Sequence, residues 1–206
     1  LARAMDLVIG GVLLLPVLAV LGVLAVLIKL DSPGSPFFSQ VRTGHGGRRF
    51  RMYKLRTMVR NAEELKQTYM HLNELAYPDF KITDDPRMTR VGRFLRRTSL
   101  DELPQLLNVL KGDMTLVGPR PTSFSPQRYR LWHTARLQIK PGLTGLWQIS
   151  GRSELEFDER VRLDVAYAEG NLPAGAFLIP ANPALANELA EIWALDLVAL
   201  QNIPAA

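Results

Sequence analysis

Cysteine is absent from the 206 residues, which excludes disulfides, thiolate nucleophiles and cysteine-ligated zinc or iron–sulfur sites. Histidine is nearly absent. His45, His71 and His133 are scattered without H-x-x-x-H spacing, so no histidine-built metal site is expected. There is no internal repeat and no low-complexity tract. The length suits one catalytic domain with an appendage and is too short for two full-sized domains. Because the chain starts at Leu1, its true beginning is expected to lie upstream.

Positive charge and one hydrophobic run are what the sequence has in excess. The formal net charge of +5 favours an anionic partner: nucleic acid, a phosphorylated substrate or an acidic membrane surface. Leu7 to Ile28 carries no charge and is almost entirely Leu, Val, Ile, Ala and Gly, long enough to cross a bilayer core as a helix. A cleavable secretory signal fits poorly, because the run is too long and Lys29–Pro33 offers no small-residue cleavage site. Pro16 lies mid-run, where its missing N–H and its ring predict a kink or break. Arg3 and Asp6 before the run, and Lys29 and Asp31 after it, suit two forms equally: a spanning anchor with a tolerated proline, or a hairpin that enters and leaves on one side.

Asp31 to Pro36 is a turn-rich linker. Phe37 to Gln40 and Phe50 to Thr57 read as short strands around Gly44-His45-Gly46-Gly47, a hairpin in which Lys54 and Arg56 share one face. Asn61 to Leu75 is helical in composition, and Arg87 to Arg97 has the Val91, Phe94, Leu95 spacing of an amphipathic helix. Leu103 to Leu110 is an apolar helix stopped by Lys111-Gly112. Val117 to Pro121 and Lys140 to Gly145 are loops, and Gln127 to Gln138 and Ser153 to Ala168 are expected helices.

Asp101 and Glu102 are adjacent acids preceded by Arg96, Arg97, Thr98 and Ser99. Neighbouring carboxylates beside arginines fit phosphate chemistry, in which cations neutralise substrate oxygens while a carboxylate attacks or binds Mg²⁺. Ser99-Leu100-Asp101-Glu102 also matches a capping box, in which both acids merely satisfy a helix start. Pro104 conflicts with that alternative, whereas a helix starting at Pro104 leaves both acids in the turn before it. Arg87, Arg90, Arg93 and Arg96 recur every three residues, a run that suits phosphates, anionic headgroups or plain solvent. Gly118-Pro119-Arg120-Pro121 fixes one arginine in a stiff backbone.

Asp84 to Arg87, Arg96 to Met114 and Val117 to Pro121 together closely resemble the bacterial sugar transferases called monotopic phosphoglycosyl transferases. Phe37 to Gln40, Tyr53 to Met58 and Lys140 to Arg152 follow the family's order, over roughly residues 1 to 168. So long an ordered match is more specific than any single motif. The resemblance implies an α/β fold, mostly helical with a small β-hairpin. It further implies a re-entrant membrane helix broken at Pro16 over residues 1–30, and a cytoplasmic-face catalytic domain with interfacial amphipathic helices over 31–168. Residues 169–206 form a divergent extension, because Gly170 to Glu191 is inserted before Ile192 to Leu197 resembles the family again. Leu15 stands where the family often places Ser before Pro16, so the backbone groups that the proline frees need another partner.

The resemblance also implies a chemistry. Asp101 is the expected nucleophile toward the sugar-bearing phosphate of a UDP-sugar, releasing UMP, with polyprenyl phosphate as the acceptor in a second step. Glu102 is the second member of the dyad, and Lys54, Arg96, Arg120 and Arg152 match phosphate- and nucleotide-binding positions. Mg²⁺ is the expected cofactor, with Asp101 as its protein ligand. The expected partners are the UDP-sugar, the polyprenyl phosphate lipid and the bacterial inner membrane, with homo-oligomerisation left open. Tyr69 to Thr83 and Trp147 resemble members that use simple hexoses such as glucose or galactose. A competing reading is a membrane-surface anchor that binds anionic lipids without chemistry, which leaves the dyad unexplained. Nucleic-acid binding is not expected, since no reading motif accompanies the hydrophobic run.

Overall fold

A computed structural model of the chain describes residues 2–74, 82–123, 129–149 and 157–170. Helix α1, Ala2–Asp31, takes up the hydrophobic run. It continues through Pro16, so the break expected there does not occur. Proline's fixed φ is itself helical, and within a long apolar helix the ring costs only one turn's hydrogen bonding. Among the described residues α1 is the one helix long and apolar enough to cross a membrane.

Both ends of α1 are tied to the rest of the chain. Arg3 donates from Nη1 and Nη2 to the carbonyls of Val109 and Leu110, at 2.6 and 2.8 Å. The buried Asp6 carboxylate accepts from the Thr115 hydroxyl and the Leu116 N–H. At the far end Asp31 accepts from the Val91 N–H at 3.0 Å. Between these ties Gly10 lets α1 approach Leu106 and Leu110, and Leu21, Leu24 and Ile28 form a core with Leu55 and Leu95. The opposite face, including Val12, Leu15, Val23 and Leu30, is apolar and exposed.

Strands β1, Phe37–Thr43, and β2, Arg49–Leu55, form the antiparallel hairpin, closed by a 3-10 turn at His45–Gly47 in which Gly46 takes φ +61. Phe50 and Met52 point inward to Val109 and Met114 in a second core. The strand ends at Leu55, so Arg56 does not share a face with Lys54. It turns back and donates to the carbonyls of Ser32 and Pro33, fastening the linker instead. Only Leu65–Thr68, α2, and a 3-10 turn at Met70–Leu72 are helical where a longer helix was expected. Within the Tyr69 to Thr83 segment, residues 75–81 lie outside the described residues.

Helix α3, Arg90–Thr98, is capped by Thr89, whose hydroxyl accepts from the Gly92 N–H. The three-residue arginine rhythm does not survive as one face. Arg87 is buried in a bidentate pair with Asp85, whereas Arg90, Arg93 and Arg97 are exposed. Gly92 rests on the backbone that follows β2, where an added Cβ would fall 1.9 Å from the Thr57 carbonyl oxygen. Neither backbone can yield cheaply, so Gly92→Ala is expected to lower stability by about 2–4 kcal/mol, read as a fall in the urea midpoint.

Ser99 ends α3 with φ +58, the one left-handed non-glycine among the described residues. Its side chain makes no capping bond, so the capping-box alternative fails. A 3-10 segment, Leu100–Gln105, carries Asp101, Glu102 and Pro104 into α4, Leu106–Lys111, which stops at Gly112 with φ +88. The dyad therefore stands in the turn before the helix. Asn108 of α4 anchors that turn to the hairpin, accepting from the Tyr53 N–H and donating to the Arg51 carbonyl along the free edge of β2.

Two short parallel strands pair, β3 (Thr115–Val117), which ends at the start of the first expected loop, and β4 (Gly142–Thr144), which lies inside the second. Glycine makes the pairing possible, since a Cβ on Gly142 would lie 2.1 Å from the Gly118 nitrogen. A 3-10 stretch over Leu131–Gln138 precedes β4. Helices α5, Leu146–Ile149, and α6, Phe157–Ala168, follow it and pack Leu146 on Leu163. The beginnings of the two expected C-terminal helices and the 171–206 segment lie outside the described residues.

Candidate active site

The dyad lies where the end of β2, the 3-10 turn and the loop after β3 meet. Lys54, from β2, places Nζ 3.0 Å from Glu102 Oε1 and 3.9 Å from Asp101 Oδ2. Arg120 closes over Glu102 from the other side, with Nη1 2.9 Å from Oε2 and Nη2 on Oε1. Both carboxylate oxygens of Glu102 are thus taken by cations. Asp101 has none so close, and its carboxylate makes no hydrogen bond among the described residues. Arg96 donates from Nε to the Thr57 hydroxyl at 3.1 Å, which sets its charge near the dyad.

These environments push the two acids apart. Burial raises Glu102, but the Arg120 hydrogen bond and the Lys54 and Arg120 charges outweigh it and hold the pKa at about 2. For Asp101 burial dominates and the pKa rises, with Lys54 opposing and Glu102 adding to the rise. Burial likewise lowers Lys54, against the pull of Glu102. Paired titratable groups driven in opposite directions mark a division of labour. Glu102 is held ionised between two cations, whereas Asp101 has its nearest cation, Lys54, 3.9 Å away.

Glu102 has a consequence for acid stability. Its folded pKa of about 2 lies below the ordinary 4.5, so its contribution is complete above 4.5 and is lost as pH falls toward 2. That contribution is on the order of 3 kcal/mol. Glu102→Gln is expected to flatten the fall in stability between pH 4.5 and 2, measured as urea midpoints across pH; an unchanged slope would contradict the pairing.

A cleft opens beside Arg120, lined by Arg42, Arg136, Arg160, Trp147 and Phe157 among others. Arg42 sits near the end of β1. Burial, with the neighbouring Arg120 charge, lowers its pKa to about 10. Sequence reading missed this arginine because the first strand was expected to end at Gln40, before the period of two could carry it inward. Arg136 and Asp164 of α6 also meet beside the cleft, a pairing that no sequence spacing announces. Arg152 lies outside the described residues.

Among the described residues no three His, Cys, Asp or Glu side chains gather as a metal cage. The open carboxylate of Asp101 nevertheless suits Mg²⁺, which is commonly held by one or two carboxylates with the remaining positions filled by substrate phosphates and water. His133 stands apart from the dyad, with Nε2 3.3 Å from Asp158 Oδ1. It is packed edge-on by Trp132 and Phe157, accepts from the Arg130 N–H at Nδ1, and is depressed by burial.

An acidic dyad with one member paired to two cations, a lysine and arginines around it, and a basic cleft alongside form an arrangement that suits phosphate-bearing ligands. Residues 1–175 match the family model described as bacterial sugar transferase, and the chain belongs to that family. A galactosyl transferase, CpsE, of Streptococcus agalactiae is 48% identical over 155 residues, 73% of this chain and 34% of that protein. The exopolysaccharide production protein ExoY of Sinorhizobium fredii is 40% identical over 174 residues, 81% of this chain and 76% of that protein. An undecaprenyl-phosphate galactose phosphotransferase of Salmonella typhimurium is 47% identical over 147 residues, 68% of this chain and 31% of that protein. The chain therefore spans about a third of the length of two of these relatives and about three quarters of the other.

Proposed function

We propose that the chain transfers a sugar-1-phosphate from a UDP-sugar to a polyprenyl phosphate lipid through a covalent intermediate on Asp101. The observation that carries this reading is the contrast within the dyad, with Glu102 saturated by Lys54 and Arg120 while Asp101 stays open. The names of relatives point to the same substrates: galactose and glucose as the sugars, undecaprenyl phosphate as the acceptor.

In the first step an Asp101 carboxylate oxygen attacks the sugar-bearing phosphorus, the bond to the UMP oxygen breaks, and UMP leaves with that electron pair. In the second, a phosphate oxygen of the lipid attacks the same phosphorus and the aspartyl oxygen departs, regenerating Asp101. Lys54 and Arg120 orient Glu102 and present positive charge to the phosphates, and the cleft of Arg42, Arg120 and Trp147 offers the nucleotide cations and an aromatic ring. When bound at Asp101, Mg²⁺ supplies charge neutralisation between the meeting anions.

The same reading places α1 in one leaflet. The helix is held near its start, where Asp6 accepts from Thr115 and Leu116, and at its last turn, where Asp31 accepts from Val91, so it stays against the domain along its length. That favours an unbroken α1 lying alongside the domain on one side of the bilayer over a spanning helix, and not the broken hairpin expected from the sequence. Its exposed apolar face would lie in hydrocarbon, and the exposed Arg90, Arg93 and Arg97 with Phe94 would lie at the headgroups of the cytoplasmic face.

The test is UMP release by the membrane-reconstituted chain given a panel of UDP-sugars, polyprenyl phosphate and magnesium. Release with a UDP-hexose, abolished by a chelator, is expected. A lipid-binding anchor would release none with any sugar.

A further inference from the structure

Asp164 is the most buried charged side chain among the described residues, 1% exposed, and its partner Arg136 is 5% exposed. Neither takes part in the transfer chemistry above. One nitrogen, Arg136 Nη2, lies 2.6 Å from Asp164 Oδ2 and donates at 2.5 Å to the backbone carbonyl of Arg120. Arg120 is therefore gripped at both ends, by Arg136 at its carbonyl and through its own guanidinium at Glu102.

The arrangement is a poor way to gain stability. The Asp164 contact is held by charge, because neither carboxylate oxygen finds an aligned hydrogen-bond donor among the described residues. Burial raises the Asp164 pKa to about 6 despite the Arg136 and Arg160 charges. A dry ion pair of this kind offsets little more than its own desolvation. What it does provide is a fixed link from α6 to the Pro119–Pro121 loop, whose two prolines pass a displacement on rather than absorb it.

We propose that Asp164 and Arg136 are positioning residues for the transfer reaction: acting through the Arg120 carbonyl, they hold the loop that aims the Arg120 guanidinium at Glu102 and the substrate phosphates. This rests on the transferase reading. An ångström of drift in an aimed cation costs up to about a hundredfold in rate, and the loss falls on kcat rather than on KM.

The experiment is a double-mutant cycle on UMP release, with thermal unfolding of all four proteins followed in parallel. Asp164→Asn is expected to lower kcat about 10- to 100-fold with KM changed less than about threefold. In an Arg120→Ala background the same substitution is expected to cost less than about threefold, because the group it positions is gone. An equal fold-loss in both backgrounds would mean that Asp164 acts on the fold or elsewhere, and would overturn the proposal. Should Asp164→Asn not fold, Arg136→Lys runs the same cycle, since a lysine keeps the charge but lacks the planar fork. Absence of UMP release from the wild-type chain would instead overturn the transferase reading itself.

Discussion

Asp101→Asn is expected to slow UMP release by at least about a thousandfold while leaving the protein folded. The substitution keeps the shape of the side chain and removes the carboxylate whose nearest cation, Lys54, stands 3.9 Å off, against 3.0 Å from that lysine to Glu102. Stability should change little or rise, because burial already disfavours the ionised form of Asp101. That combination separates a nucleophile from a structural acid. Loss of a buried acid that served the fold would lower the unfolding midpoint together with the activity. Steady-state UMP release and urea unfolding on the same preparation decide between them.

Arg120→Ala has the second-largest expected effect, a loss of about 100- to 1,000-fold in kcat/KM. Three functions go with one side chain. Glu102 loses the partner that spans both its oxygens, the substrate phosphates lose a cation, and the cleft beside Arg42 loses a wall. With only Lys54 left on it, Glu102 should titrate higher, so the variant should also lose stability at a higher pH than the wild type on acidification. A variant with unchanged kinetics would remove Arg120 from the site.

The sequence carried the local features of this arrangement well. Alternating residues around Gly44 to Gly47 announced the hairpin, and Pro104 placed the dyad ahead of its helix, since proline has no N–H to give an interior turn. The family motif singles out Lys54 as a phosphate-binding position, and it lies on Glu102; the strand period, which paired it with Arg56, did not foresee that contact. What stayed hidden depends on contacts between distant segments. Three-residue strands paired beside bare glycine backbone leave no hydrophobic alternation to read, so β4 looked like a loop and β3 went unread. Arg87, Arg90, Arg93 and Arg96 looked equivalent, yet only Arg87 finds a buried acid and only Arg96 reaches Thr57. Arg136 and Asp164 meet although β4 and α5 lie between them in the chain, and no spacing rule links them. The break expected at Pro16 misjudged a proline that a long apolar helix can carry.

The covalent step is tested most directly by intact-protein mass spectrometry. The chain is mixed with a UDP-hexose and magnesium in the absence of lipid and quenched rapidly. The account predicts a protein heavier by one hexose phosphate, discharged when polyprenyl phosphate is added and absent from Asp101→Asn. UMP formed only when lipid is present, with no adduct at any time, would contradict it.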